Sequence, residues 1–347
     1  MNVLVTGGAG FIGSNFVQHM LKQHRDIHIV NLDKLTYAGS LEHLQEIMDD
    51  PRHTFVHGDI CDRSLVEHLF EQHQIDGVIH FAAESHVDQS IRDPRSFVET
   101  NVLGTLNLLE AARTFWMEGI GQYKRAFQQA RFHHISTDEV YGTLGAEGLF
   151  TEKTAYAPNS PYSASKASSD MIVRSYFHTY GMNVVTTNCS NNYGPKQHEE
   201  KLIPTIIRKA LALDTIPIYG DGQNVRDWLY VLDHCRAIEQ VFFAGRAGET
   251  YLVGGHCEKT NMEVALAICD ILDQEQPVRM NEKGITSYRQ LLAFVADRPG
   301  HDFRYAIDDS KLRSELGFEK EHSFAQGIKE TIAYYVEAFS LKRSDVR

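Results

Sequence analysis

The sequence predicts an α/β protein, a doubly wound parallel sheet with a smaller, mostly helical C-terminal domain. Three observations lead there. The chain opens with a short apolar strand, Val3-Leu4-Val5-Thr6, that breaks into the glycines Gly7, Gly8, Gly10 and Gly13 and then into a helical pattern at Phe11, Ile12 and Phe16. Short apolar runs alternate with amphipathic stretches through the first half, the rhythm of a parallel sheet covered on both faces. After about Gly194 that rhythm changes, as Pro195, Pro204 and Pro217 punctuate a mainly helical pattern.

In chain order, strand 2–6 leads through the glycines into helix 11–23. Strand 27–32 is Ile-His-Ile-Val-Asn-Leu and ends in Asp33, followed by helix 40–48. Strand 54–57 ends at Gly58-Asp59-Ile60 before helix 63–73, and strand 77–81 ends at Ala82-Ala83 before a long helix over about 94–118. The segment from Glu118 to Ala130 is polar and compatible with a helix, with no function assigned to it. Strand 131–136 runs into Ser-Thr-Asp-Glu, then come helix 161–180 and strand 183–187. Beyond Gly194 the spacing predicts helices near 202–213, 233–244, 261–273 and 323–339. In the last, Phe324, Ile328, Ile332, Tyr335 and Phe339 recur at helical spacing and form a core face. This smaller part is expected to cover the carboxyl ends of the strands, where open α/β sheets bind ligands.

The glycine spacing carries the first chemistry. Gly8-x-Gly10-x-x-Gly13 and Gly7-x-x-Gly10-x-x-Gly13 both fit a dinucleotide fingerprint between a strand and a helix. Gly7 and Gly8 permit a sharp turn, Gly10 lets a pyrophosphate approach the main chain, and Gly13 lets the helix pack on the sheet. The helix N-terminus offers free N–H groups and partial positive charge to phosphates. A glycine triplet alone is an ordinary tight turn. Asp33 decides against that, lying about 20 residues past the last glycine, where a carboxylate accepts from an adenosine ribose. It would repel a 2′-phosphate, which favours NAD over NADP. The predicted fold is therefore of the Rossmann type.

Bulk properties narrow the class. The 347 residues carry 34 basic and 46 acidic side chains, a net charge of -12. That argues against nucleic acid or an anionic membrane surface as partner, since both need a basic face. Cys61, Cys189, Cys235, Cys257 and Cys269 are scattered without a C-x-x-C pair, which suggests reduced thiols in the cytoplasm. No apolar stretch approaches the roughly 18 residues of a membrane span. The first strand leaves no room for a signal peptide.

The strongest catalytic signal is Tyr162-Ser163-Ala164-Ser165-Lys166. The phenol and the amine are four apart and share a helix face. Lowering a phenol by about three pH units needs roughly 4 kcal/mol. An ammonium about 4 Å away supplies that order at an effective dielectric of 20. The alternative is an ordinary helix face. Ahead of that helix, Ser136-Thr137-Asp138-Glu139-Val140-Tyr141-Gly142 closes a strand. Two neighbouring carboxyls in one pocket split into an acid and a base; otherwise they are a solvated strand end followed by a turn. His133 and His134 read as strand packing rather than metal ligands, and no metal is expected.

Thr6-Gly7-Gly8-Ala9-Gly10-Phe11-Ile12-Gly13 with Tyr162-x-x-x-Lys166 resembles the extended short-chain dehydrogenase/reductase superfamily. More narrowly, the chain resembles the dTDP-glucose 4,6-dehydratase family over nearly its whole length. Matching stretches include Asn31-Leu32-Asp33-Lys34-Leu35-Thr36-Tyr37-Ala38-Gly39, Phe81-Ala82-Ala83-Glu84-Ser85-His86-Val87-Asp88, Thr137-Asp138-Glu139, Ser190-Asn191-Asn192-Tyr193-Gly194-Pro195, Arg226-Asp227-Trp228 and Arg298-Pro299-Gly300-His301. Gln89, where an arginine is expected, and Cys257, where an asparagine is usual, depart from the pattern.

The resemblance implies an NAD-dependent hydro-lyase. Tyr162 with Lys166 would take the sugar 4-hydroxyl proton, Thr137 would bond the same oxygen, Glu139 would take the C5 proton, and Asp138 would protonate the departing 6-hydroxyl. The cofactor would meet Gly7, Gly10, Phe11, Ile12, Gly13, Asp33, Lys34, Leu35, Thr36, Asp59, Ile60, Phe81, Ala82, Ala83, Ser85, Thr100, Tyr162, Lys166 and Asn192. The nucleotide sugar would meet Ser85, Thr137, Asp138, Glu139, Asn191, Lys201, Leu202, Pro217, Ile218, Tyr219, Arg226, Asn261, Asp297, Arg298 and His301. Lys201, Arg226 and Arg298 are the local cations a diphosphate needs, or else surface charges; Asn191 and Asn192 could merely cap a turn. Residues 1–193, with 229–256 returning to them, would hold NAD; 194–228 and 257–347 would hold the nucleotide sugar. A homodimer packed through helices 94–118 and 161–180 is expected. A UDP-sugar 4-epimerase or decarboxylase would use the same tyrosine, lysine and NAD but needs no acid for a leaving hydroxyl. A non-catalytic NAD sensor would need neither pair.

Overall fold

The computed structural model describes residues 1–278, 283–297 and 302–344, with side chains through residue 340. Among them, seven parallel strands form the central sheet. In spatial order they are Thr250–Val253, Val184–Cys189, Arg131–Thr137, Gly77–His80, Asn2–Thr6, His28–Asp33 and His53–His57. Chain order runs outward in both directions from Asn2–Thr6, so the crevice for a ligand opens beside that strand at the carboxyl ends. Val3, Leu4 and Val5 are each wholly buried because helices cover both faces.

The helix after the first strand, Phe11–Gln23, begins at Gly10 with no side-chain cap. By contrast, Asp62 caps Arg63–His73, accepting from Leu65 N at 3.1 Å. Helix Pro161–Tyr180 has Pro161 in its first turn, a reciprocal Ser160–Ser163 cap, and Gly181 in the left-handed conformation at its end (φ 68°). These local signals explain why its boundaries match the sequence expectation.

Several expectations need correction. The helix expected over 40–48 is a 3₁₀ segment, Leu41–Ile47, opened by Ser40, which accepts from Glu42 N at 3.2 Å. The long helix over 94–118 is α-helical only over Pro94–Phe97 and Thr105–Trp116, with a π-helical stretch, Val98–Gly104, between them. Asn101, in that stretch, turns its amide to the backbone of Glu84, accepting from its N at 2.8 Å and donating to its O at 2.9 Å. Such distortions commonly sit beside functional sites. Residues 118–130 are not helical throughout: Met117–Gly119 and Gln122–Tyr123 pair as a small hairpin, followed by a 3₁₀ turn at Arg125–Phe127.

The C-terminal half holds more strands than its proline-rich pattern suggested. Ile216–Tyr219 pairs with Leu292–Val295, and Val225–Tyr230 lies between Asn191–Tyr193 and Glu258–Thr260. Helices Leu202–Leu211, Asn261–Glu275 and Phe324–Ser344 pack a second core of Ile203, Ile207, Ile268, Leu272, Ile328 and Ile332. Tyr335 and Phe339 are buried in it and Phe324 packs against it, the face read from the sequence.

Candidate active site

A cleft of about 330 Å³ runs along the carboxyl ends of the strands. The glycine turn forms one end. Gly7 has φ +73°, and a Cβ there would lie 2.6 Å from Ala82 N. At Gly13 a Cβ would lie 2.3 Å from the Gly7 carbonyl oxygen. The backbone is drawn so tight that only glycine fits, and the uncapped start of the Phe11–Gln23 helix faces the cleft. This cradle fits a pyrophosphate. Asp33, at the end of the neighbouring strand, accepts from Ala9 N at 2.9 Å and from Leu35 N at 2.8 Å. Those bonds fix its carboxylate at the cleft wall, where it retains lone pairs for a ribose hydroxyl. Glycine cradle and acid together fit NAD.

The chemical end lies beneath the strand Arg131–Thr137. Thr137 caps a 3₁₀ turn, Asp138–Tyr141, and accepts from Glu139 N at 3.3 Å. Asp138 is 2% exposed, and its Oδ2 has no hydrogen-bond partner in the structure. Burial, then the adjacent Glu139, pushes its carboxyl well above the ordinary range, which favours its protonated form. Its Oδ1 accepts from Thr137 Oγ1 at 3.4 Å, which leaves Oδ2 as the oxygen that can carry a proton toward an acceptor in the cleft.

Tyr162 and Lys166 line the same cleft. Here the sequence expectation is overturned. Burial, followed by Glu139, pushes the Tyr162 phenol well above its ordinary value. The Lys166 ammonium is itself brought down to about 8 by burial and donates to the Ile135 carbonyl at 2.8 Å. The protein alone therefore holds Tyr162 as a neutral phenol; a four-residue spacing places the two groups on one face but says nothing of the desolvation both suffer.

Most of the expected residues come together here. Gly7, Gly10, Phe11, Ile12, Gly13, Asp33, Lys34, Thr36, Asp59, Ile60, Phe81, Ala82, Ala83, Ser85, Thr100, Thr137, Asp138, Glu139, Tyr162, Lys166, Asn191, Asn192 and Lys201 line the cleft. Leu35 stands just behind it, with φ 53° and its side chain against the core. Leu202 begins the Leu202–Leu211 helix; Pro217, Ile218 and Tyr219 form a strand of the C-terminal part. Arg226 stacks 4.4 Å above the Tyr305 ring and donates to the carbonyls of Val225 at 2.8 Å and Asp302 at 3.0 Å. Asn261 opens a helix, and Asp297 packs against Gly220. None of these eight lines the cleft. Arg298 and His301 lie outside the described residues.

Lining residues that sequence reasoning did not single out include Glu84, Ser136, Cys189, His198 and Glu200. The first three lie at or just beyond strand ends, a position that could have marked them. His198 and Glu200 come from the loop before Leu202–Leu211, and no local pattern marks them. One supporting layer was also missed. His234 is wholly buried, its ring pushed down to about 3 by burial and so neutral, and its Nδ1 lies 2.9 Å from Asn192 Oδ1. Asn192 in turn donates to Ser190 O at 3.0 Å.

Residues 4–331 match the family model described as GDP-mannose 4,6 dehydratase. The chain is 57% identical to a dTDP-glucose 4,6-dehydratase of Xanthomonas campestris over 333 residues, 96% of this chain and 92% of that protein. It is similar to the crystal structure of a Streptomyces venezuelae dTDP-glucose 4,6-dehydratase with NAD bound, with a TM-score of 0.87, 45% identity and 98% of each chain covered. A Thermus thermophilus UDP-glucose 4-epimerase complexed with NAD has a TM-score of 0.83 at 28% identity, covering 97% of this chain and 100% of that one.

Proposed function

The chain belongs to the dTDP-glucose 4,6-dehydratase family, and on that basis we propose that it converts dTDP-glucose to dTDP-4-keto-6-deoxyglucose and water. It is an NAD-dependent hydro-lyase. Bound in the cleft, NAD supplies a hydride acceptor for C4 of the sugar and later a hydride donor for C6. Gly7, Gly10 and Gly13 would hold its pyrophosphate and Asp33 its ribose.

The protein's residues handle the protons. Tyr162 takes the proton from the sugar 4-hydroxyl, drawn by the Lys166 ammonium and the cofactor's positive ring against its own burial. Thr137 donates a hydrogen bond to the same oxygen. The resulting 4-ketone acidifies C5–H, and Glu139 removes that proton. Asp138 gives its proton to the 6-hydroxyl, which leaves as water as the C5–C6 double bond forms; when C6 receives the hydride, Glu139 returns the proton to C5. The observation that carries this reading is Asp138 itself: a buried carboxyl with an unpartnered oxygen, beside a second carboxyl, pushed up by burial toward its protonated form. A 4-epimerase needs only reversible oxidation at C4 and has no use for that acid.

Residues 1–193 with 229–256 act as the NAD-holding part, supported by Thr250–Val253 pairing with Val184–Cys189. Residues 194–228 and 257–347 serve the nucleotide sugar. Exposed Ile91, Val98, Leu103 and Met171 on the helices flanking the site support a homodimer. No helix among the described residues is long and apolar enough to cross a membrane, and the unpaired cysteines support a cytoplasmic location.

The test is mass analysis of product from dTDP-glucose, UDP-glucose, GDP-mannose and CDP-glucose in turn. Loss of one water from dTDP-glucose alone supports the reading. A new stereoisomer of unchanged mass means an epimerase.

A further inference from the structure

Asp170 lies four residues after Lys166 on the Pro161–Tyr180 helix, so the two share a face, one turn apart. It is fully buried and not among the cleft-lining residues. Its Oδ2 accepts from Ser136 Oγ at 2.9 Å, from Tyr156 OH at 2.9 Å and from Asn188 Nδ2 at 3.1 Å. Its Oδ1 lies 3.1 Å from His134 Nε2.

Three of these four contacts, those of Ser136, Asn188 and His134, lead to the strand Arg131–Thr137. Ser136 precedes Thr137, Asp138 and Glu139. Asn188 also donates to the Thr137 carbonyl at 3.0 Å, and Lys166 donates to the Ile135 carbonyl at 2.8 Å. Three consecutive residues, Ile135, Ser136 and Thr137, are thus tied to a single cluster. We propose that Asp170 is a positioning residue for this reaction, the buried counter-ion that keeps Lys166 an ammonium and anchors the strand end bearing Thr137, Asp138 and Glu139. The inference rests on Tyr162 and Lys166 being the catalytic pair.

The surroundings leave Asp170 that role. Burial would normally push a carboxyl up, yet its donors and the nearby cation hold Asp170 below the ordinary range. His134 and His80 face Lys166 but are kept neutral by burial, His134 brought down to about 4. The Cys189 thiol is pushed up to about 12 and is neutral as well. From the other elements around Asp170, the Tyr156 and Tyr141 phenols are pushed up by burial and remain un-ionised. The remaining pull on the Lys166 proton is the Asp170 carboxylate.

The test compares kcat–pH profiles of holoenzyme variants. Asp170→Asn is isosteric: its amide oxygen still accepts from Ser136, Tyr156 and Asn188, and its NH₂ can donate to neutral His134. With the charge gone, Lys166 loses its proton at lower pH. The alkaline limb of kcat should therefore move down by about one pH unit, with KM and bound NAD unchanged. Asp170→Glu keeps the charge and should hold the limb within about half a pH unit of wild type. A uniform fall in kcat with an unmoved limb in Asp170→Asn overturns the proposal, as does a downward shift of about one pH unit in Asp170→Glu. Tyr162→Phe, run beside them, separates the two readings: wild-type kcat there removes the catalytic pair itself, whereas an inactive Tyr162→Phe with an unmoved Asp170→Asn limb removes only the role of Asp170.

Discussion

Lys166 Nζ donates to the Ile135 carbonyl at 2.8 Å, which seats the ammonium beneath the strand that delivers Thr137, Asp138 and Glu139. The same helix turn carries Tyr162, so all the residues proposed for the chemistry meet at one corner of the cleft. Burial, then Glu139, is what keeps the Tyr162 phenol above its ordinary value.

The first prediction follows from that neutrality. In protein stripped of cofactor, the difference spectrum of wild type against Tyr162→Phe should show no phenolate below pH 10, the ordinary phenol value. In holoenzyme, Tyr162→Phe should lower kcat by about 10²–10⁴-fold with bound NAD unchanged. A phenolate near neutral pH without cofactor would contradict the burial effect.

Asp138 and Glu139 should separate by step. Glu139→Gln should stop after oxidation, so that reduced nicotinamide accumulates in a single turnover and no water is lost. Asp138→Asn should reach the same stage and eliminate water more slowly, by about 10²–10⁴-fold. Rapid-quench mass analysis alongside nicotinamide absorbance reads both. Elimination at the wild-type rate in Glu139→Gln would assign the base elsewhere.

Gly13→Ala tests the cradle. Its Cβ would lie 2.3 Å from Gly7 O and 2.8 Å from Gly8 Cα, both backbone atoms that cannot rotate away. The purified variant should carry little NAD and lose about 1–3 kcal/mol of stability, the usual scale of overpacking. Gly145→Ala is the control, since a Cβ there meets nothing within 4 Å.

Buried neutral histidines set an acid limit on stability. His234 is brought down to about 3 and His134 to about 4 in the folded protein, against an ordinary value of 6.5. The unfolded chain therefore takes up protons that the folded one refuses. Stability from these groups is complete above about pH 6.5 and is lost as the pH falls toward about 3, at up to ~1.4 kcal/mol per group per pH unit. His234→Gln can still donate to Asn192 and cannot be protonated. Its Tm should fall less than that of wild type between pH 7 and pH 5, by the equivalent of ~2 kcal/mol. Parallel falls would assign the acid sensitivity to other groups.

Much of the site was legible in the sequence because its signals are local. A glycine triplet after a strand, an acid at the end of the next strand and a tyrosine four residues before a lysine are statements about neighbouring backbone. So are the Ser160 cap and Gly181, which set the limits of the catalytic helix. What stayed hidden depends on residues far apart in the chain. The short strands Ile216–Tyr219 and Val225–Tyr230 exist through partners rather than through propensity.

The sequence by itself determined the order of strand, glycine turn and helix, the acid beside it and the one face shared by Tyr162 and Lys166, since each follows from dihedral preference and helical periodicity. Only the tertiary structure decided the charge state of those groups. Burial pushes Tyr162 and Asp138 toward their protonated forms, and the packing of helix on strand brings Ser136 and His134 to Asp170, because desolvation and hydrogen bonding depend on what the fold packs around a group and not on its neighbours in the chain.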